Sequence, residues 1–223
     1  MTRHEDLTPA LSSILRHWNN GYIVWISFIT TAEKEDGLEE KWASNFSTKL
    51  AAWRRQDMKQ KGMPTAVALS APVIGQPGKR QVMLMATPAA LKAEEEWARE
   101  QWKTALPDFS DFKMVHEPRD RGDYAWTWRL QPHVENGLLN YWKGLVASGD
   151  ASEVARDTHH AVKFYPMFGG VRRQLRRIFN GHRKLWSAKW GSPWPGPDPD
   201  HLPMMGKFKK AKKMPTEPVS GKK

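Results

Sequence analysis

Tyrosines beside lysines, and histidines among arginines, are side-chain sets that can cleave or hold a phosphodiester, and the last third of this chain carries several of them. Tyr141 stands two residues before Lys143, and Tyr165 two after Lys163. A tyrosine nucleophile also needs a metal, commonly held by paired histidines, to polarise the phosphate. The apolar run QVMLMAT, where such a pair would belong, has no histidine. Metal-independent ribonuclease chemistry would instead use His159 and His160, which follow Asp157, or His182, which lies among arginines. The catalytic candidates are therefore His159, His160, His182, Tyr141 and Tyr165, with surface or capping roles as the plain alternative for the histidines. His133 with Glu135, and Asp157 with His160, are too few ligands for a metal site, so neither metal nor cofactor is expected.

The chain has no cysteine, which excludes disulfides and thiolate zinc centres. Glycine motifs of nucleotide-binding loops and of serine-hydrolase elbows are also missing. The N-terminus has early acids and no apolar run suited to a signal peptide, and no stretch reaches the length of a spanning helix. A cytoplasmic protein is the expectation.

Charge is the most informative feature. The 223 residues carry 35 Lys and Arg against 24 Asp and Glu, a net +11. Residues 163–190 hold eight of the cations and no carboxylate, while residues 1–162 are close to neutral. Within 171–186, Val171, Leu175, Ile178, Phe179, Leu185 and Trp186 recur at helical spacing, interrupted only by His182. The opposite face then gathers Arg172, Arg173, Arg176, Arg177, Arg183 and Lys184, with Lys189 one turn further on. Like charges four apart, as at 172/176 and 173/177, cost an isolated helix a few tenths of a kcal/mol per pair. Something negative must compensate: either an anionic partner or acids supplied by the fold. Arginine's planar fork suits phosphate, and Phe164, Tyr165, Phe168, Trp186, Trp190 and Trp194 lie near enough in sequence to stack on unpaired bases. A membrane-surface helix is disfavoured, because the apolar face is expected to pack on the domain. Gly169-Gly170 should form a flexible lead-in, and Gly181 is a point where the helix could kink.

The elements that must position these residues follow from periodicity and turn chemistry. Residues 8–20 read as a helix with Thr8 as cap, and 22–31 as a buried strand. Leu38, Trp42, Phe46, Leu50 and Trp53 predict one amphipathic helix from 38 to 61. TAVALSAPVI and KRQVMLMATP, joined by GQPG, predict a hairpin; FKMVHEP and YAWTWRLQP, joined by RDRGD, predict another. Trp126 and Trp128 share a face of that last strand, as a core pair or as a stacking platform. Thr87-Pro88 opens a further predicted helix, and two more cover 133–150 and 151–165, the second capped by Asp150 or Ser152.

This order indicates an α+β fold with a largely antiparallel sheet and helices gathered on one face, and a split β-α-β unit of ferredoxin-like or RRM-like type fits the first half. Residues 1–191 are expected to form one nucleic-acid-binding domain, its basic helical part at 152–190. Residues 192–223, Pro-rich and then Lys-rich, are expected to be a disordered tail. The function expected is binding of DNA or RNA through the arginine-rich helix, within a larger nucleoprotein complex, as in replication or transfer of a mobile element or in RNA processing. A nuclease acting on the bound strand, and an assembly protein whose basic helix docks on an acidic protein, are the alternatives.

Overall fold

The computed structural model describes residues 1–93, 97–118 and 122–204. It begins with a two-residue strand β1 (Thr2–Arg3) and helix α1 (Leu7–Asn19), followed by strand β2 (Val24–Thr31) and helices α2 (Glu35–Phe46) and α3 (Ala52–Gln60). Strands β3 (Ala66–Pro72) and β4 (Lys79–Ala86) form the first expected hairpin. β2 pairs antiparallel with the other side of β4, so β2 and β3 run parallel on either side of it. That is a split β-α-β unit, with α2 and α3 in the crossover. β1 adds parallel to β3, giving the order β1-β3-β4-β2.

Alternation along this sheet separates two cores. Val67, Leu69, Met83 and Met85 face α1, whereas Ala66, Ala68, Val82 and Leu84 face Trp42 and Phe46 of α2. Both faces are covered, so the strands read as continuous apolar runs, and α2 lies opposite α1 rather than on the same side. β2 is an edge strand and is only half buried: Val24 and Trp25 are inside, while Phe28 and Ile29 are exposed.

Two predicted helices differ from the structure. The helix expected over 38–61 breaks after Phe46, where Ser47 takes a left-handed conformation with φ 54°. Steps of four residues advance the apolar stripe by about 40° each, so by Leu50 it has turned roughly 120° from Leu38 and no longer faces the sheet. Trp53 consequently stands 68% exposed on α3. The helix expected after Thr87 is reduced to a 3-10 turn at Pro88–Lys92, and residues 94–96 lie outside the described ones. Here tertiary packing outweighs helix propensity. Trp97 and Trp102 close edge-on around Phe46 at 4.9 and 6.0 Å, and Lys103 exchanges two backbone hydrogen bonds with Trp25 of β2.

Strands β5 (Asp108–Phe109), β6 (Phe112–Pro118) and β7 (Tyr124–Leu130) make a second antiparallel sheet containing the other expected hairpin. Trp128 is fully buried and donates Nε1–H to the Leu11 carbonyl of α1 at 2.9 Å, so it belongs to the core, against which the half-buried Trp126 packs. Helices α4 (Pro132–Ser148), α5 (Ala151–Phe164) and α6 (Gly169–Trp190) follow. Asp150 is the cap of α5, accepting from the Ser152 and Glu153 amides. α6 runs unbroken through Gly181 and lies along β7, the edge strand of its sheet.

That edge is sealed by two residues of α6. The buried Gln174 side chain accepts from the Leu130 amide at 2.8 Å and donates to the Leu130 carbonyl at 3.2 Å, as a neighbouring strand would. At Gly170, a Cβ would stand 2.4 Å from the Trp128 carbonyl oxygen, so this glycine permits the close approach.

The ordered chain extends past 191. Trp186 donates to Ser192 Oγ at 2.9 Å, Trp194 packs edge-on against Trp186, and Pro199–His201 forms a 3-10 turn on α6 before Leu202 is buried. The lysine-rich stretch expected to be disordered lies outside the described residues. Among the described residues, no helix is long and apolar enough to cross a membrane.

Two outcomes are expected. Gln174→Leu, which keeps volume but strands a buried amide and carbonyl of Leu130, should lower stability by about 1–3 kcal/mol in urea unfolding; an unchanged midpoint would show that the edge is sealed without it. His17 is partly buried and edge-on to Tyr22, and burial, then Arg16, Arg55 and His4, pushes its pKa down to about 4. The unfolded chain takes up this proton near pH 6.5 and the folded chain does not, so stability should fall as pH drops from about 6.5 to 4. His4 and His182, lowered mainly by burial, act in the same direction. His17→Gln should flatten the loss across that window, and an equal slope in both proteins would assign it elsewhere.

Candidate nucleic-acid interface

The seven cations of α6 divide among three surroundings. Arg173 pairs with Glu117 of β6, which also binds Arg129 of β7 at 2.9 Å. Arg177 pairs with Glu135 of α4, whose other oxygen accepts from Gln174 at 2.7 Å. Glu117, Arg129, Arg173, Gln174 and Arg177 border a cavity of about 370 Å³ between the hairpin and the first turns of α6. Arg172 lies half-buried on the same turns.

Further along, Arg176 donates to the carbonyls of Pro199 and Asp200 at 3.1 and 3.2 Å. Arg183 lies 3.7 Å from Asp198 and 3.9 Å from Asp200. Asp198 is held below the ordinary carboxylate range, chiefly by hydrogen bonding from His201, and His201 is raised in turn by Asp198. The fold thus supplies four carboxylates to an arginine face that has none of its own. This is the second of the two compensations open to the sequence, and it relieves the like-charge spacing within the helix.

The C-terminal part of α6 is different. Lys184 is exposed and has no ion-pair partner among the described residues. Lys189 donates to the Ala147 carbonyl at 2.8 Å and lies over the Trp190 ring at 4.8 Å. Lys143 of α4 faces the same groove, of about 310 Å³, whose floor is Val146, Ala147, Leu185 and Ala188. Leu185, expected on the buried stripe, is 49% exposed here. α4 has no carboxylate beyond Glu135, and α6 has none.

Of the aromatic residues expected to stack on bases, Phe168 and Trp186 are core, and Tyr165 and Trp194 are half-buried. Phe164 and Trp190 are exposed. Trp190 is held firmly, its Nε1–H on the Val146 carbonyl at 2.9 Å and its ring against Gly149, where a Cβ would come within 2.6 Å.

The catalytic candidates are found in separate settings. Tyr141 donates to Asp157, which raises the tyrosine pKa and stabilises its protonated form. Tyr165 is also raised, by burial first and then by Asp111. His159 binds the Ala155 carbonyl and His160 stacks on Phe164. His182 is buried, with Nδ1 on the Ile178 carbonyl and its ring edge-on to Trp142, and burial lowers its pKa. Neither tyrosine is tuned toward a phenolate nucleophile. No group of three or more His, Asp or Glu side chains among the described residues is placed to hold a metal.

Sequence reasoning missed Arg129 and Glu117 of the cavity, took Glu135 only as a ligand candidate and not as the partner of Arg177, and missed a row of rings on the hairpin. Tyr124, His116 and Trp126 follow one another at centroid distances of 5.5 and 4.4 Å, and Trp126 rests edge-on against Trp18 of α1. The hairpin register, which pairs His116 with Trp126, is the signal that could have found them.

The difference between the two ends of α6 can be measured. Arg173→Ala removes a half-buried partner of Glu117 and should cost about 1 kcal/mol in urea unfolding, less at high salt. Lys184→Ala should stay within about 0.5 kcal/mol. Equal effects would contradict the assignment of Arg173 to the fold and Lys184 to the surface.

No protein family, curated protein or solved structure matches the chain.

Proposed function

We propose that the protein binds DNA or RNA along α6, with Lys143, Lys184 and Lys189 as the principal phosphate contacts. The observation that carries this reading is the lysine surface on α4 and α6, whose cations meet no carboxylate among the described residues. Exposed cations without acids nearby attract polyanions, and the firmly held, partly exposed Trp190 offers a base an ordered surface beside them. Arg176 and Arg183 are engaged by the segment at 198–200, so they contribute less than the sequence alone suggests. The seven lysines between 207 and 223 add positive charge next in the chain and fit a role within a nucleoprotein assembly.

Leu185 and the apolar floor between α4 and α6 favour a second reading, in which an acidic amphipathic protein segment occupies the groove.

Fluorescence anisotropy with labelled single- and double-stranded DNA and RNA tests the first reading. Binding should weaken linearly on a log–log plot against salt, and Lys143/Lys184/Lys189→Ala should reduce the slope by about 2–3. No binding of any of the four probes at low salt would reject nucleic-acid binding and leave the acidic-partner reading, for which salt-sensitive association with an acidic helical peptide is the corresponding observation.

A further inference from the structure

The two sheets end in four edge strands, and three of them are short or covered. β1 and β5 have two residues each, and β7 is sealed by α6. β2 is eight residues long, and among the described residues its outer side is met only at Trp25, which exchanges two backbone hydrogen bonds with Lys103. That bridge goes no further along the edge, because the chain before Lys103 turns back. The Trp102 amide donates to the Glu100 carbonyl, and its indole to the Trp97 carbonyl. Backbone groups alternate sides along a strand, so Ser27, Ile29 and Thr31 point outward as Trp25 does, while the even-numbered residues bond to β4. Among the described residues, no hydrogen bond is made to these three outward positions. Ala90 and Trp97, which flank the undescribed residues 94–96, both pack with Val24 and Phe46 at the other end of the strand.

Sheet edges left open in solution are normally blunted by a charge, a proline or a bulge. The strand VWISFITT has no charge, no proline and no glycine, and its pairing with β4 is unbroken over all eight residues. Phe28 is exposed on the face toward α2, with its ring edge-on to Trp42, and Ile29 is 51% exposed on the opposite face.

Laid antiparallel on itself, β2 has one register that pairs all three outward residues and stays clear of Lys103. Ile29 meets Ile29 of the other copy on the two-fold axis, and Ser27 meets Thr31, each pair exchanging two backbone bonds. Phe28 then stands opposite Thr30 on the α2 face, an aromatic and β-branched pair of the kind that stabilises sheets. After Thr31 each chain leaves the sheet in the 3-10 turn Ala32–Lys34. In this register the exposed Glu33, in no ion pair among the described residues, comes opposite Trp25 of the other copy, beside that copy's exposed Lys103. The opposite charges recur on both sides of the axis, so the surface is complementary to itself. We propose that two copies of the chain associate through β2, antiparallel and centred on Ile29, joining their four-stranded sheets into one. This inference does not depend on what α6 binds.

Sedimentation of the full chain should show a dimer whose share rises with protein concentration. Ile29→Lys and Ile29→Glu each set like charges against one another on the axis and should weaken association at least about ten-fold, and mixing the two variants should restore the dimer. The chain has no cysteine, so introduced thiols report the register without background. A Phe28→Cys chain mixed with a Thr30→Cys chain should give a disulfide-linked dimer on mild oxidation, to a greater extent than either variant alone. This uncharged pair decides the matter if a charge at 29 unfolds the chain. A wild type that stays monomeric at every soluble concentration overturns the proposal and leaves the edge to an extended segment of another protein. A dimer indifferent to charge at 29, or cross-linking with no preference for the mixed pair, overturns it as well.

Discussion

The unpaired edge of β7 is the constraint on which the C-terminal half of the molecule depends. An edge strand presents backbone donors and acceptors that must find partners once water is excluded. α6 meets that need with the amide of Gln174, which reproduces the two bonds a strand would make to Leu130. The approach is possible because Gly170 has no side chain to meet the Trp128 carbonyl. Register and distance at this contact then determine which way every other side chain of α6 points. Val171, Leu175, Ile178 and Phe179 enter the core shared by both sheets and α1, and Arg173 and Arg177 turn toward the hairpin and α4.

One docking event therefore produces both the core and the charge pattern. Glu117 holds β6, β7 and α6 together through Arg129 and Arg173, and Glu135 holds α4 to α6 through Gln174 and Arg177. The segment after α6 repeats the arrangement on the next turns, where Arg176 and Arg183 meet the carbonyls and carboxylates of 198–200. Lys184 and Lys189 of α6 meet no carboxylate among the described residues. Lys189 lines one groove with Lys143 at the far end of α6, beside Leu185.

Legibility followed the range of the interactions. The two hairpins, α1, α4, α5 and the long basic helix were readable because turns, caps and apolar periodicity act over a few residues. The helix expected over 38–61 was misread because a four-residue spacing resembles a helical stripe locally while drifting around the axis. The helix after Thr87 failed because Trp97, Trp102 and Lys103 had partners on α2 and β2 that no local pattern indicates. At the candidate site the cations were visible and their partners were not. Leu185 fell on the expected stripe and lies outside the core, since the groove between α4 and α6 is open at that turn.

Amino-acid order alone determined that positive charge is confined to the last third of the chain, that it lies on an amphipathic helix, and that this helix carries no acid of its own. Those properties depend on composition and on a 3.6-residue repeat, both local. Tertiary structure decided how much of that charge remains for a partner. The neutralising acids at 117, 135, 198 and 200 come from other elements, and an ion pair depends on distance in space rather than along the chain. The same folding gathered Arg129 of β7 with Arg173 and Arg177 of α6 around one cavity, a juxtaposition of separate segments that periodicity cannot express.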